Sequence, residues 1–357
     1  MSESSLKGLR SKIDQIDRQI IQLLNDRARR SLEVGEVKRN HREECYVPHR
    51  ERRILDRLTA LNKGPFPNHA LQSVYREIFS ASRSLQAPMK VGFLGPQGTF
   101  THMAALKQFG GSVELVPLSS IGKVFSEVEH QRATCGVVPI ENSTEGIVNA
   151  TLDAFADSPL KVSAELVIPI AHHLMSASGR IGGLQRIYSH PQAAGQCRAW
   201  LEENLPELPI LDVSSTAAAA QKAAVDPGSA AIASEYAAQT YQLKIVRSHI
   251  EDHANNWTRF VVISQQDARP SKHDKTSLIF SVKDKPGILY RTLEPFSKAK
   301  INLTKITSRP VKKRVWEYIF FIDVDGHHQE NKLHRAVQAL SRHASYVKIL
   351  GSYPKGT

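Results

Sequence analysis

Residues 6–38 read LKGLRSKIDQIDRQIIQLLNDRARRSLEVGEVK. Apolar residues follow one another at alternating spacings of three and four from Leu6 to Leu23, and the pattern resumes at Val34. This spacing places the apolar side chains along one face of a helix. Because the pattern breaks only near His41, we predict a single long helix for almost the whole segment.

Two shorter helices are predicted to follow. Pro48 is a favourable first-turn residue and begins the second helix, and the sequence Gly-Pro-Phe-Pro at 64–67 ends it. The third helix carries apolar residues from Leu71 to Phe79. Because the first helix is longer than the second and third helices, we expect its uncovered apolar face to pair with a second copy of the chain. Residues 1–88 are therefore predicted to form an all-α three-helix domain in an intertwined dimer.

The middle of the chain alternates predicted strands with helical segments, which indicates an α/β domain over residues 89–265. Its strands are predicted at 91–94, 113–117, 135–140, 160–168, 185–189, 229–233 and 259–264. The segment 265–274 is polar and poor in apolar residues, so it is predicted to be a linker.

The last part of the chain has the order strand, helix, strand, strand, helix, strand. These elements are predicted at 277–282, 287–299, 302–309, 316–324, 330–343 and 346–352. The βαββαβ order is that of a ferredoxin-like fold, which we expect over residues 276–353. The chain is therefore predicted to be multidomain.

Composition favours a soluble globular protein. Hydrophobic residues make up 41% and charged residues 23% of the chain, and no apolar run is long enough to cross a bilayer. The first residues lack the apolar stretch of a signal peptide, so a cytoplasmic location is expected. The cysteines, Cys45, Cys135 and Cys197, are isolated, which argues against a zinc site or a disulfide framework and favours small buried residues.

The net charge of +12 is unevenly distributed along the chain. Residues 1–88 hold 17 Lys and Arg against 11 Asp and Glu, and residues 275–357 hold 16 against 6. Residues 89–274 are slightly acidic, with 14 against 18. Basic ends can bind nucleic acid or small dianions, and composition leaves both interpretations open.

Arg27 lies on the apolar face of the first helix, where an apolar residue is expected. Lys38 follows eleven residues later, and eleven steps of 100° return to within about 20° of the same direction. The two cations therefore share a face about 16 Å apart along the axis, and together could clamp a small dianion. Alternatively, Arg27 snorkels at the edge of the seam and Lys38 is solvated. Arg10 points about 100° away and is expected to serve another site.

Three segments of this region, LRSKID at 9–14, EVGEVK at 33–38 and HRE at 49–51, together with Arg27, resemble the all-helical chorismate mutase family. The resemblance implies that Arg27 and Lys38, with Arg10 of the partner subunit, hold the carboxylates and the ether oxygen of chorismate.

The resemblance also assigns roles on the second and third helices. Arg50 and Glu51 begin the second helix, and Glu51 is expected to accept a hydrogen bond from the substrate hydroxyl. Ser82 and Gln86 are i,i+4 neighbours on the third helix and match the Ser and Gln of the family. Val47 stands where some members have Asp, so its contact with substrate is either made by the backbone or absent.

The chemistry that the family performs suits these residue types. Conversion of chorismate to prephenate is a unimolecular rearrangement, so it needs no nucleophile, metal or cofactor. The enzyme has to hold a compact conformer and stabilise negative charge on the ether oxygen. Lys38 and Gln86 are the expected catalytic donors to that oxygen.

Four motifs stand at the ends of predicted strands in the α/β region: GPQGTF at 95–100, PIEN at 139–142, SHPQ at 189–192 and NWTRF at 256–260. The first is neither of the common nucleotide-binding glycine patterns, and by itself indicates a tight strand-to-helix turn. Loops that expose helix N-termini at strand ends make natural carboxylate sites. In this order the four motifs resemble the prephenate dehydratase family.

That resemblance implies two lobes like those of a periplasmic binding protein, with the substrate in the cleft and residues 168–250 as the inserted lobe. Thr258 is the expected catalytic residue, helping a hydroxide to depart. Arg259 is the candidate partner of a substrate carboxylate. The other residues expected to line the site are Glu141, Asn142, Ser189 and Gln196. The alternative is that Thr-Arg-Phe at 258–260 is only the entry to a strand.

The βαββαβ region resembles the ACT domain. KPGILY at 285–290 and SRP at 308–310 match its two effector motifs. The resemblance implies that phenylalanine binds between two such domains and inhibits the enzyme, and it leaves open a domain that only dimerises. Thr307 replaces the usual glutamate, so effector affinity stays open. The expected effector contacts are Gly287, Ile288, Leu289, Ser308, Arg309 and Pro310.

Together the resemblances predict an enzyme of phenylalanine biosynthesis that rearranges chorismate to prephenate and converts prephenate to phenylpyruvate. No cofactor or metal is expected, and neither nucleic acid nor a membrane is an expected partner. One alternative is an amino-acid-sensing regulatory binding protein in which only the mutase is active. Another, a dehydrogenase partner, is disfavoured because no GxGxxG motif is present.

Overall fold

The computed structural model describes residues 3–41, 46–271, 273–283, 285–310 and 318–356. The chain folds into two compact units. The first holds the chain up to Met89 together with residues 109–114, and the second holds residues 90–108 and the chain from Leu115 onward.

The first unit is built on three helices, α1 Glu3–His41, α2 Pro48–Leu61 and α3 Asn68–Gln86. The predicted long helix, the start at Pro48 and the stop before Pro67 are all confirmed. Gly35 is buried where α1 crosses α3, and a Cβ at this position would lie 2.9 Å from Cγ of Gln86. Glycine therefore lets the two helix backbones approach closely. Cys45 lies outside the described residues.

The N-terminal half of α1 carries a continuous apolar face that the described chain leaves exposed. Its side chains are between 41% and 66% accessible to solvent. Contiguous apolar surface of this kind marks an interaction site in a soluble protein. The residues on this half of the helix are Leu6, Leu9, Ile13, Ile16, Ile20, Ile21, Leu23 and Leu24.

The described residues of the second unit form three sheets. Its strands are β1 Lys90–Leu94, β2 Glu114–Leu118, β3 Cys135–Asn142, β4 Gly146–Ile147, β5 Lys161–Pro169, β6 His173–Ser176, β7 Arg186–Ser189, β8 Ile210–Asp212, β9 Ser229–Ala233, β10 Lys244–Arg247, β11 Trp257–Ser264, β12 Asp274–Val282, β13 Leu303–Pro310, β14 Tyr318–Asp325 and β15 Tyr346–Pro354. Its helices are α4 Phe100–Phe109, α5 Ile121–Glu129, α6 Asn149–Asp157, α7 Pro191–Gln196, α8 Arg198–Asn204, α9 Thr216–Val225, α10 Glu235–Thr240, α11 Ile288–Lys298 and α12 Asn331–Ser341.

The first two sheets form the two lobes of the α/β region. One has the order β2-β1-β3-β11-β5 with β4 added to β3, and the other has the order β10-β6-β9-β7-β8. The chain leaves the first sheet after β5, builds the second sheet, and returns as β11 between β3 and β5. The sequence analysis missed β4, β6, β8 and β10 because strands of two to four residues carry little periodicity.

The third sheet has the antiparallel order β13-β14-β12-β15, and α11 and α12 pack on one of its faces. This confirms the ferredoxin-like arrangement. The other face contributes Ile279, Phe321 and Tyr353 to a core shared with Phe155 and Val162 of the α/β region.

Part of the segment 265–274, predicted to be a linker, is held against this core. Ala268 is 6% exposed, and Oδ1 of Asp267 accepts a hydrogen bond from the backbone of Ser352. Within the described parts of the chain, no helix is both long and apolar enough to cross a membrane.

Candidate active sites

A cavity of about 220 Å³ opens between α1, α2 and α3 in the helical unit. It brings together the mutase residues that the sequence analysis named, apart from Arg10, which lies exposed on α1. The lining residues are Arg27, Arg30, Ser31, Val34, Lys38, Val47, Arg50, Glu51, Ile54, Phe79, Ser82, Arg83 and Gln86. Because cations outnumber the single carboxylate in this lining, the cavity suits an anion.

Arg27 is anchored at the wall of this cavity. Its Nη1 donates to Oγ of Ser82 at 2.5 Å, and the Ser82 hydroxyl donates to the carbonyl oxygen of Ile78 at 2.7 Å. The guanidinium also lies 5.5 Å from the ring centroid of Phe79, a favourable cation–π contact. Burial lowers the pKa of Arg27, yet a guanidinium keeps its charge in proteins. These contacts favour a held side chain over one that snorkels.

Arg83 is a site residue that the sequence analysis missed. It is 3% exposed and forms an ion pair with Glu51. Its Nη2 donates to the carbonyl oxygen of Phe109 at 2.6 Å. Burial raises the pKa of Glu51, while the attraction of Arg83 opposes this rise. In the sequence, an arginine near a helix end is typical of a solvated cation, so only packing reveals its role.

Gln86 presents an unsatisfied polar atom in this cavity. Its amide oxygen is buried and has no hydrogen-bond partner within the described chain. The backbone carbonyl of the same residue accepts from Arg39 Nη1 at 2.7 Å. A buried polar atom without a partner costs free energy, so this oxygen is left to accept a hydrogen bond from a ligand.

A larger cavity of about 730 Å³ lies between the two sheets of the α/β region. Its polar lining comes from the ends of several strands and the starts of several helices. The polar lining residues are Thr99, Thr101, Ser119, Asn142, His172, His190, Gln192, Gln196, Ser214, Ser215, Thr216, Asn256 and Thr258. The structure thus brings Asn142, Gln196 and Thr258 together, as the sequence analysis expected.

The side chain of Asn142 is fixed by backbone donors. Its Oδ1 accepts from the N–H groups of Thr144 at 2.9 Å and Glu145 at 3.0 Å. Its Nδ2 therefore faces the other way and donates to Oγ1 of Thr258 at 2.8 Å and Oδ1 of Asn256 at 2.7 Å. Because the Thr258 oxygen is the acceptor in its bond, its own O–H is left to donate into the cavity.

The same reasoning fixes the tautomer of His172. Since Oδ1 of Asn256 accepts, its Nδ2 donates to Oε1 of Gln196 at 3.0 Å. That oxygen lies 2.8 Å from Nε2 of His172, which must carry the proton. Nδ1 of His172 is buried without a partner in the described chain, and burial lowers the pKa of the ring. A neutral His172 thus ends a chain of hydrogen bonds that reaches Thr258.

The described lining of this cavity contains helix starts but no side-chain cations. None of the described residues that line it is Lys or Arg. Instead, Thr99 and Phe100 lie at the start of α4, and Ser215 and Thr216 lie at the start of α9. Helix N-termini carry a partial positive charge and exposed N–H groups, so they bind carboxylates. Two helix starts, and not the arginine that the sequence analysis expected, therefore give this cavity its partial positive charge.

Three residues that the sequence analysis placed in this site do not line the cavity: Glu141, Ser189 and Arg259. Successive side chains of a strand point to opposite faces, so Glu141 and Arg259 lie behind Asn142 and Thr258. The guanidinium of Arg259 instead contacts Glu165 and Asp323. Ser189 is fully buried, and its hydroxyl donates to the carbonyl oxygen of His190.

The two effector motifs lie apart in the single chain. Gly287, Ile288 and Leu289 line a cavity of about 230 Å³ at the start of α11, where Gly287 adopts a φ of 73°. Ser308, Arg309 and Pro310 lie on β13, the edge strand of the third sheet, and do not line that cavity.

The guanidinium of Arg309 contacts the α/β region, and its expected contact with an effector stays a prediction. Its guanidinium bonds Asp153 at 2.5 and 2.9 Å and donates to the carbonyl oxygen of Asn149 at 2.8 Å. Both partners belong to α6. The side chain therefore points at the α/β region, because alternate residues of β13 face that side.

Three known protein families match the helical, the α/β and the ferredoxin-like regions of the chain. Residues 9–87 match the family chorismate mutase type II, residues 91–268 match prephenate dehydratase, and residues 276–342 match the ACT domain.

Full-length relatives carry the same combination. The chain is 49% identical to the bifunctional chorismate mutase/prephenate dehydratase of Aquifex aeolicus, over 98% of both chains. It is 42% identical to the protein of that name from Pseudomonas aeruginosa, over 99% of this chain and 98% of the relative. A crystal structure of the prephenate dehydratase of Arthrobacter aurescens in complex with L-Phe matches 75% of this chain and 90% of its own, with 35% identity and a TM-score of 0.69. This chain belongs to the family of bifunctional chorismate mutase/prephenate dehydratases.

Proposed function

We propose that the helical cavity rearranges chorismate to prephenate, and that the larger cavity converts prephenate to phenylpyruvate, water and carbon dioxide. The observation that carries the proposal is the match of each cavity to its reaction. The first is lined by cations around a small volume. The second directs the Thr258 hydroxyl into a cleft ringed by helix N-termini.

The test is to incubate the purified protein with chorismate and follow products by chromatography. We expect prephenate to form and phenylpyruvate to accumulate. Prephenate that accumulates without phenylpyruvate would favour the alternative of a regulatory binding protein with an active mutase only. A preparation that consumes no chorismate would contradict the first half of the proposal.

In the helical cavity, Arg27 and Lys38 hold the substrate dianion, with Arg50 beside them. Lys38 and Gln86 donate hydrogen bonds to the ether oxygen as the carbon–oxygen bond breaks and negative charge grows there. One oxygen of Glu51 is taken by Arg83. A carboxylate has several acceptor sites, so Glu51 also accepts a hydrogen bond from the substrate hydroxyl.

Gln86→Glu is expected to make the mutase depend on acid pH. An amide donates at any pH, whereas a carboxyl group donates only when protonated, so activity should rise as pH falls through the pKa of the new group. The measurement is kcat/KM for chorismate against pH in both proteins. Because both contain Glu51, the difference between the profiles isolates residue 86, and coincident profiles would contradict its role as donor.

In the larger cavity, the carboxylates of prephenate bind at the starts of α4 and α9. As the ring loses carbon dioxide, the bonding electrons move into the ring and the hydroxyl departs. The Thr258 O–H donates to that departing oxygen. Asn142 donates to Oγ1 of Thr258, which polarises the hydroxyl and strengthens it as a donor. Threonine is a weak acid, so it acts by positioning and hydrogen bonding.

The active mutase is proposed to be a dimer. The exposed apolar face of α1 supports this, because it is too long for α2 and α3 to cover, and Arg10 lies exposed on the same half of this helix. A second copy of the chain that packs on this face would bring its Arg10 to the neighbouring cavity.

Complementation between two inactive variants tests this arrangement. In a hybrid of Arg10→Ala and Lys38→Met subunits, one cavity keeps both cations and the other loses both. Random assembly makes half of the dimers hybrid, so co-expression should restore about a quarter of wild-type mutase activity. Separately expressed variants mixed without exchange are the control. Co-expressed proteins no more active than the better single variant would contradict sharing of the site.

Phenylalanine is the proposed effector of the ACT domain. The apolar cavity at Gly287–Leu289 supports this, as does the L-Phe bound to the dehydratase of Arthrobacter aurescens. Ser308 is exposed on the edge strand β13, where a second ACT domain could pair with it and complete the site.

The cysteines support the proposal that the protein is cytoplasmic. Cys135 and Cys197 are buried thiols, and burial raises the pKa of Cys197. A buried, protonated thiol is unreactive. These residues behave as the small apolar side chains that the sequence analysis expected.

A further inference from the structure

Glu141 and Arg259 lie on the opposite face of the sheet from the residues that line the dehydratase cavity. On the paired strands β3 and β11, Thr258 is opposite Asn142 and Arg259 is opposite Glu141. Since strand side chains alternate between faces, one pair faces the cavity and the next pair faces away from it. Any shift of the second pair therefore moves the backbone that carries the first.

The ACT domain holds Arg259 through β14 and β15. Nη1 of Arg259 donates to Oδ2 of Asp323 at 2.6 Å, and Nη2 donates to the Tyr353 hydroxyl at 2.9 Å. Nε lies 2.8 Å from Oε2 of Glu165 on β5. The guanidinium is thus held by two hydrogen bonds to the ACT domain and by an ion pair with Glu165, to which Nε makes no hydrogen bond.

The ACT domain holds Glu141 through β13. Nζ of Lys305 lies 2.6 Å from Oε2 of Glu141, which is also 3.8 Å from Arg259. Lys305 is itself opposite Asp323 in the pairing of β13 with β14. One cross-strand pair of the ACT sheet therefore contacts one cross-strand pair of the dehydratase sheet, each residue meeting the opposite charge.

The charges balance only across the two domains. On the dehydratase side, Glu141, Glu165 and Arg259 sum to −1. On the ACT side, Lys275, Lys305 and Asp323 sum to +1, with Lys275 paired to Glu165 at 2.8 Å. The side chains of Arg259, Glu165 and Asp323 are 11%, 4% and 9% exposed. Removing one partner would leave a buried charge uncompensated, which is strongly unfavourable.

We propose that Lys305 and Asp323 of the ACT domain are positioning residues for the dehydratase reaction. They hold Glu141 and Arg259, and so set the placement of Asn142 and Thr258 on the opposite face of the same strands. β13 carries both Lys305 and the second effector motif. A change at β13 on effector binding is therefore transmitted to the cavity through the contact between Lys305 and Glu141. The inference rests on the proposed role of Thr258.

The test compares Lys305→Met and Asp323→Asn with Asp153→Asn in the full-length protein. Asp153 bridges the same two domains through Arg309, but lies on α6 and outside the cavity, so its variant is the matched control. We expect both test variants to lose about tenfold in dehydratase kcat, with little change in KM for prephenate. Inhibition by phenylalanine should weaken in parallel, whereas calorimetry should show that phenylalanine still binds. Lys305→Arg, which keeps the charge, should restore kcat.

A thermal melt of each variant reports whether the second compact unit, which holds the dehydratase cavity and the ACT domain, is folded, because mutase activity reports only on the first unit. The inference is overturned if both test variants match Asp153→Asn in dehydratase kcat and in response to phenylalanine. It is also overturned if the loss lies entirely in stability, with kcat unchanged at a temperature where the proteins are folded. Failure of the proposed function looks different, because the wild-type protein would then make no phenylpyruvate or Thr258→Ala would remain active.

Discussion

Thr258→Ala is expected to lower the dehydratase kcat by about 10²–10³-fold, the usual cost of removing one hydrogen-bond donor from a reacting centre. The alanine cannot donate to the departing hydroxyl, and it leaves Nδ2 of Asn142 with one acceptor fewer. The measurement is phenylpyruvate formation from prephenate at saturating substrate. Mutase activity in the same protein should be unchanged, because that cavity lies in the other compact unit.

Two further substitutions separate the hydroxyl from the shape of the side chain. Thr258→Ser keeps the O–H and should retain most of the activity, whereas Thr258→Val keeps the shape and should behave like alanine. Wild-type turnover in the alanine or valine variant would refute the catalytic role of Thr258. It would instead favour the interpretation of residues 258–260 as a structural strand entry.

Lys38→Met is expected to lower mutase kcat/KM by about 10²–10³-fold, because an ammonium donor to the developing oxyanion is lost while the aliphatic stem is kept. The cavity retains Arg27, so part of the substrate binding should survive. The measurement is the disappearance of chorismate under conditions where kcat and KM are resolved separately.

Arg29→Met provides the matched control for Lys38→Met. Arg29 is an exposed cation on the same helix, is paired with Asp26 and does not line the cavity. It should keep wild-type mutase activity. This result would show that the change in net charge does not cause the loss of activity in Lys38→Met. An equal loss in both variants would mean that general electrostatic attraction, and not donation by Lys38, carries the effect.

Much of this protein could be predicted from its sequence because the relevant signals are local. The apolar spacing from Leu6 to Val37 sets the length of α1, and helical periodicity alone puts Arg27 and Lys38 on one face. Pro48 and the segment 64–67 set the ends of α2 through backbone restrictions that act within a few residues. The βαββαβ order follows from short-range patterns in the same way.

Tertiary structure decided which side of each strand borders the cavity. Alternation predicts that Thr258 and Arg259 face opposite ways, but which face borders the cavity depends on where the second lobe and the ACT sheet pack. Both faces of β11 carry polar residues, so hydrophobic pattern could not distinguish them. The sequence analysis therefore placed Arg259 and Glu141 with the substrate, whereas they contact the ACT domain.

The same dependence on packing explains the other surprises. Arg83 became a buried partner of Glu51 only when α2 and α3 came together. His172 lines the site and is hydrogen-bonded to Gln196, which lies on α7. The cavity is lined by the helix starts at Phe100 and Thr216, whereas the sequence analysis had expected an arginine there. The sequence determined the elements and the residues available to them, and the long-range assembly of those elements decided which residues meet, because contacts between distant segments leave no periodic signal along the chain.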